Sequence, residues 1–396
     1  MMYTCGQGCT NPNHRHGESE HPGAAAGKKA AKPAARPAAK AAAKTAMVKA
    51  KLVAGAKGVK KGKVPRVDLH CHYLNTDVAG EVAHLNPAQH DNHTLFANPL
   101  TIEVNKKQMA DRAKMLSSIE TRLKDMDKMG VDIQAICPAP FQYYYWAEAS
   151  HGLELARKVN DRLAEIVGKW PERFVGMGSV PLQNADMACE ELERTVKKLG
   201  FRGVEINTNV NGLNLTDKSL NLDKFFRKVQ ELDVVLFLHP TGFTHADRLK
   251  DHYFNNVIGN PLDTSIAVMD MIFDGVMQRY SKLKVVLPHA GGYVAHYPAR
   301  MDHAWRARKD ARVNIKKAPS SYLKKMYFDT IAFDPQMMRF LVDWYGAGQV
   351  VLGTDYPYDM GDFDPVGTIK SIPKLSRADQ DMIAGGTAAK LLKIKY

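Results

Sequence analysis

From Val64 onward, short apolar runs alternate with longer amphipathic stretches. The runs VPRVDLHCH (64–72), VDIQAIC (131–137), RFVGMGSV (173–180), FRGVEIN (201–207), VVLFLHP (234–240), KVVLPH (284–289), MYFDTI (326–331) and QVVLGTD (349–355) predict eight strands. Between them lie segments such as SSIETRLKDMDKMG, ADMACEELERTVKKLG and LNLDKFFRKVQELD, whose apolar residues recur at helical spacing and two of which close on Gly. Strands alternating with helices make βαβ units and a parallel sheet. Eight of them predict an α/β protein of the (β/α)8-barrel type, although an open doubly wound sheet gives a similar string. The position of the polar residues separates the two.

The pattern is different upstream. Residues 23–63 are almost wholly Ala, Lys, Pro, Gly and Val, with AAKPAARPAAKAAAK at the centre. Such a segment has too few large apolar side chains to offset the entropy of ordering, so residues 1–63 are read as a disordered tail and 64–396 as one catalytic domain. Charge follows the same division. Residues 1–63 carry thirteen Lys/Arg against Glu18 and Glu20, a net of +11, so only about +2 of the chain's formal +13 belongs to the rest. A nucleic-acid or polyanion partner is therefore an expectation for the tail alone, through phosphate neutralisation, against the plainer reading of a solvated tail. Met47 is a second candidate start. Cys5, Cys9, His14 and His16 make a set of zinc-type ligands, but the loop between the pairs is short for a finger and no core residues support it. An odd count of five cysteines forms no paired framework and points to a reducing, cytoplasmic setting. No run of about 18 apolar residues predicts a membrane span.

In a barrel, functional side chains stand where each strand stops. Strand one ends in His70-Cys71-His72, strand five in His239, strand six in His289 and strand eight in Asp355, while strand seven carries Asp329. Residues two apart on a strand face the same side, so His70 and His72 can grip one ion while Cys71 points away. With His239 and Asp355 they make a four-ligand set for one divalent metal, zinc before manganese, that leaves a position for water. Asp355 can also accept a proton from that water. An imidazole both donates and accepts near neutral pH, and His289, opening HAGG, is assigned as acid/base. Glu205 and Asp329 are expected to orient the ligand rings. Arg300 either clamps a substrate carboxylate or makes a surface ion pair. Phe141, Tyr143, Tyr144, Tyr145 and Trp146 either wall a flat substrate or belong to the core or a subunit interface.

The motifs VDLHCH, RLKDMDKMGVDIQ, YYYWA, RFVGMGSVPLQ, LFLHP, PHAGGYVAHYPARMDHAW and VVLGTDYPYDMGDFDP, in this order, resemble the amidohydrolase superfamily and within it the aminocarboxymuconate-semialdehyde decarboxylase branch. The resemblance implies a (β/α)8 barrel with one divalent metal, usually zinc, on His70, His72, His239 and Asp355, and His289 as acid/base. It also implies a homodimer in which Arg300 reaches the neighbouring subunit's substrate, and non-oxidative decarboxylation of an unsaturated or aromatic carboxylic acid without an organic cofactor. Two departures concern the substrate. Thr241 stands where the decarboxylase usually has Trp after His-Pro, and no counterpart of the family's other carboxylate-binding arginine precedes RLKDMDKMG. His245 and Tyr358 are assigned to the altered pocket. Hydrolysis or hydration on the same ligand set, and polymer binding by the tail beside an inactive barrel, are the alternatives.

Overall fold

A computed structural model describes residues 63–396. The readings of the tail, including the Cys5, Cys9, His14 and His16 set, lie outside the described residues. The apolar runs become β1 (Val67–Tyr73), β2 (Ile133–Pro138), β3 (Phe174–Gly178), β4 (Gly203–Ile206), β5 (Val235–Leu238), β6 (Lys284–Leu287), β7 (Tyr327–Asp329) and β8 (Val350–Val351). All are parallel and neighbour one another in sequence order. The sheet closes on itself: Leu69 N–H donates to Leu352 O at 2.9 Å, His72 N–H to Tyr356 O at 2.8 Å, and Cys71 bridges Tyr356 in parallel register. Closure decides for the (β/α)8 barrel over the open sheet.

β8 is shorter than its apolar run predicts. Leu352 N–H bonds to Ile383 O at 3.0 Å and Asp355 takes a positive φ of 53°, so the chain after Val351 is off the regular ladder while still bonding to β1. A β-bulge between Asp68 and Cys71 shifts the β1–β2 register. Its consequence is a change of parity: Val67 and Leu69 pack inside the barrel with Ala135, Met177, Phe237 and Val286, whereas Cys71 packs outward with Met126 and Ile136. His70 and His72 are thereby left to face the barrel mouth.

The helices α1 (Pro99–Asp111), α2 (Ile119–Met129), α3 (Ala149–Lys169), α4 (Ala185–Lys197), α5 (Asp223–Leu232), α6 (Asn260–Phe273), α7 (Pro298–Ala307) and α8 (Pro335–Tyr345) follow the chain in that order. Ser118 caps α2 by accepting from Thr121 N–H, and Gly130 ends it with a φ of 70° that a Cβ would strain. α5 turns Phe225, Phe226 and Val229 onto the sheet, each phenyl contributing about 1.5–3 kcal/mol by burial. α1 is different: it buries no residue fully and belongs to the long connection between β1 and α2. That connection lies over the barrel mouth, with Asn98 N–H bonded to Lys250 O (2.9 Å), Asn92 O accepting from Asn255 Nδ2 (2.9 Å) and Arg112 bonded to Pro357 O (2.6 Å). Among the described residues no helix is long and apolar enough to cross a membrane.

Candidate metal centre and active site

β1, β5 and the loop after β8 bring His70, His72, His239 and Asp355 together, with one ligand atom from each lying within 4.8 Å of all the others. All four side chains are buried. His70 Nδ1 lies 2.6 Å from Asp329 Oδ2, and His72 Nδ1 lies 3.2 Å from Pro138 O. Each oxygen accepts a hydrogen bond from Nδ1–H, which keeps the proton on Nδ1 and leaves Nε2 with a lone pair. The two Nε2 atoms stand 3.1 Å apart, and Asp355 Oδ1 is 3.3 Å from the first and 3.2 Å from the second. Both nitrogens of His239 and Asp355 Oδ1 are buried without a hydrogen-bond partner. Lone pairs converging in this way repel unless a cation lies between them. Two donors bound tetrahedrally at about 2.0–2.1 Å are themselves about 3.3 Å apart, so the donor set fits one divalent ion.

The titration of the groups agrees with that demand for positive charge. Burial opposes a charged His70, yet Asp355 and Asp329 raise its pKa to about 10. Burial likewise opposes an ionised Asp355, but His70 and the hydrogen-bonding imidazoles hold its carboxyl well below the usual range. His239 goes the other way: burial, then the charges of His72, His70 and His289, keep it neutral. A neutral imidazole is the form that donates to a metal.

His289 follows β6 in a run of four left-handed residues, His289, Ala290, Gly291 and Gly292, with φ of 52°, 54°, 79° and 59°. Asp329 holds this turn. Its Oδ2 accepts from His289 N–H at 3.0 Å, and its Oδ1 accepts from Ala290 N–H at 2.7 Å and Ile331 N–H at 3.0 Å. His289 Nε2 is thus 3.8 Å from Asp355 Oδ2 while its Nδ1 has no partner. Glu205 is 3.6 Å from His72 Nδ1 and accepts from the Tyr143 hydroxyl at 2.8 Å. One carboxylate therefore serves both His70 and the His289 turn, and another stands behind His72.

These groups open into a cavity of about 500 Å³, lined by His239, His289, Asp355, Thr241 and Tyr358. The connection over the mouth adds His93, Ile102, Asn105, Lys106, Gln108 and Met109. None of these six was singled out from the sequence. The length of the β1-to-α2 connection was the available signal, since structureless or irregular connections beyond about 12–15 residues are usually functional. The aromatic run is divided: Tyr143 and Tyr145 pack into the main core, Phe141 lines the cavity, and Tyr145, Trp146 and His245 line a neighbouring one. Arg300 is exposed on the first turn of α7 and lines neither cavity.

A family model for the amidohydrolases matches residues 67–394. The chain belongs to the amidohydrolase family. Among relatives of this amidohydrolase, the 2-amino-3-carboxymuconate-6-semialdehyde decarboxylase of Dictyostelium discoideum is 35% identical over 274 residues, covering 69% of this chain and 76% of that protein. Two crystal structures share the fold at 25% identity. A dihydroxybenzoic acid decarboxylase from Polaromonas sp. JS666, with bound manganese and the inhibitor 2-nitroresorcinol, superposes with a TM-score of 0.71 over 83% of this chain and 97% of its own. The 5-carboxyvanillate decarboxylase of Sphingomonas paucimobilis gives 0.75 over 84% of this chain and all of its own. The amidohydrolase reading of the motifs and of the barrel is thus confirmed.

Proposed function

We propose that this amidohydrolase is a metal-dependent carboxy-lyase that removes a carboxylate, without oxidation, from an aromatic or unsaturated acid. The observation that carries this reading is the convergence of His70, His72, His239 and Asp355 beside His289 in a cavity large enough for a small organic acid. The decarboxylase relatives support it. Three imidazoles and one carboxylate favour zinc, with manganese as the competitor.

When bound, the ion supplies a Lewis acid that polarises the substrate. The chain does the rest. Asp329 and the Pro138 carbonyl hold the His70 and His72 rings in one tautomer. Asp355 Oδ2 lies 3.8 Å from His289 Nε2 beside the cavity, which supports His289 as the proton donor to a substrate bound there. As the bond from ring or vinyl carbon to carboxylate breaks, its electron pair stays on that carbon, the proton from His289 arrives there, and carbon dioxide leaves. Lys106, at the cavity wall, is the cation we assign to an acidic group of the substrate, and Tyr358 and Thr241 line the same cavity. Arg300 is reserved for the site of a partner subunit in a homodimer. Cys71, Cys137 and Cys189 are free thiols, in keeping with a cytoplasmic setting.

The test is metal content and carbon-dioxide release on wild type, His239→Ala and Asp355→Ala, reconstituted with zinc or manganese. About one ion per chain, lost in both variants, with gas released only by loaded wild type, is the expected result. Bound metal with product but no gas moves the reading to hydrolysis or hydration, and absence of metal removes it.

A further inference from the structure

The cavity at the metal centre has a neighbour of similar size, about 480 Å³. The two share walls at Asp91, Thr94, Pro140, Phe141 and Thr241. Either alone is in the range of about 300–1,000 Å³ that accommodates a small molecule, so a one-ring acid has no need of the second.

The two spaces have different chemistry. The metal-side cavity holds Asp355 and, in Lys106, a permanent cation, while the Asp91 carboxylate lies on the wall common to both. Among the described residues the neighbour is lined by no Lys or Arg; besides its tyrosines, its ionisable groups are His90, Asp91 and His245. Its walls are aromatic: Tyr143 and Tyr145 stack at 5.6 Å between centroids, and Trp146 is held flat against His90 at 4.6 Å with planes 9° apart. Among the aromatics stand amides whose protein bonds leave one end over. Asn207 commits its Oδ1 to Thr208, and Asn211 commits its Nδ2 to Tyr145 O at 2.8 Å. The Nδ2 of the first and the Oδ1 of the second are then a donor and an acceptor for a ligand that brings both, as a phenol hydroxyl does. A second acid or a phosphate would meet no described Lys or Arg there and would face the Asp91 carboxylate, whereas a neutral hydroxylated ring meets stacking faces and hydrogen-bonding partners.

From this we infer that the substrate is a two-part molecule: an aromatic acid head at the metal centre joined to a neutral, hydroxylated aromatic extension in the neighbouring cavity. The inference rests on the decarboxylase reading for the head and on the neighbour's own walls for the extension. The small side chain of Thr241, on the shared wall, is what a linked ligand requires there.

Full-length metal-loaded protein is given salicylate or 5-(4-hydroxyphenyl)salicylate, two acids that differ only in the extension. Calorimetric titration measures Kd for each, and gas release measures turnover separately. Wild type binds the two-ring acid at least about ten-fold more tightly, as burial of one further ring implies. Thr244→Phe fills the neighbour from a position that does not line the metal-side cavity, and reduces that preference to about two-fold or less. His245→Trp narrows the same space from its exposed rim and does likewise, while Thr244→Ser retains the preference. Equal affinity of wild type for both acids overturns the inference. So does a proportional loss of both acids in Thr244→Phe, the behaviour of a mere entry passage. Tight two-ring binding that Thr244→Phe abolishes, without gas release, upholds the subsite and overturns the decarboxylase reading instead.

Discussion

Replacing Asp329 by Asn changes one atom and tests the proposed centre at its base. The carboxylate has four donors in range: His70 Nδ1 at 2.6 Å and His289 N–H at 3.0 Å on Oδ2, Ala290 N–H at 2.7 Å and Ile331 N–H at 3.0 Å on Oδ1. An amide keeps only one acceptor oxygen. If that oxygen faces His70 and His289, two backbone donors, on Ala290 and Ile331, are stranded at about 1–3 kcal/mol each. If it faces Ala290 and Ile331, only the His289 N–H is stranded, because His70 can surrender its Nδ1 proton and accept from the amide. The second orientation is cheaper by about the cost of one buried donor. It places the His70 proton on Nε2, the atom aimed at the ligand cluster, so the expected loss is about 10–100-fold in metal affinity, together with about 1–3 kcal/mol of stability in the metal-free protein. Chelator competition measures the first and thermal unfolding the second. A variant that loses stability but binds metal within two-fold of wild type would refute the tautomer argument and leave Asp329 as a brace for the His289 turn alone.

Other outcomes follow from the same geometry. Asp270 is half-buried on α6, and burial followed by the charge of Asp274 raises its pKa from 3.8 to about 6. Because the folded state holds this proton more tightly than the unfolded one, the penalty is absent below about pH 4, grows between about 4 and 6 and is complete above. Asp270→Asn should therefore stabilise by about 1 kcal/mol at pH 7.5, after discounting for exposure, and give no gain at pH 4, read from unfolding curves at the two values. A Cβ at Gly291 would lie 2.5 Å from the Phe328 ring at a φ of 79°; Gly291→Ala should cost about 2–3 kcal/mol and lower kcat more than metal content, seen by melting and turnover together. Arg122 is wholly buried, donating to the His72 carbonyl and to Gln134 Oε1 (3.1 Å) with its guanidinium 4.7 Å from the Tyr356 ring centroid. Arg122→Met should cost about 3 kcal/mol or more in chemical denaturation, and Arg122→Lys should recover only part, since an ammonium lacks the fork that reaches both acceptors.

The alternation of apolar runs and amphipathic segments was enough to predict eight strands, because a strand buried on both faces must be nearly all apolar and the helices outside need only one apolar stripe. It was also enough to nominate His70, His72, His239, His289 and Asp355, since an ionisable side chain at the end of an apolar run has no packing reason to be there. Strand spacing even placed Cys71 outward, where it packs on Met126 and Ile136. Three things needed the tertiary structure. Closure of the barrel depends on bonds between β1 and the residues after β8, some 280 positions apart in sequence, as between Leu69 and Leu352, and no local pattern encodes them. The bulge in β1 and the positive φ of Asp355 aim the ligands through backbone geometry that side-chain type does not reveal. Part of the walls of the two cavities comes from a connection, residues 74–118, that has no strong periodicity because it buries little: α1 has no fully buried residue. Hydrophobic periodicity reports only what a segment hides from water. His93, Lys106 and the amides of the neighbouring cavity face open space, so only the folded chain could show which of its polar residues look into the site.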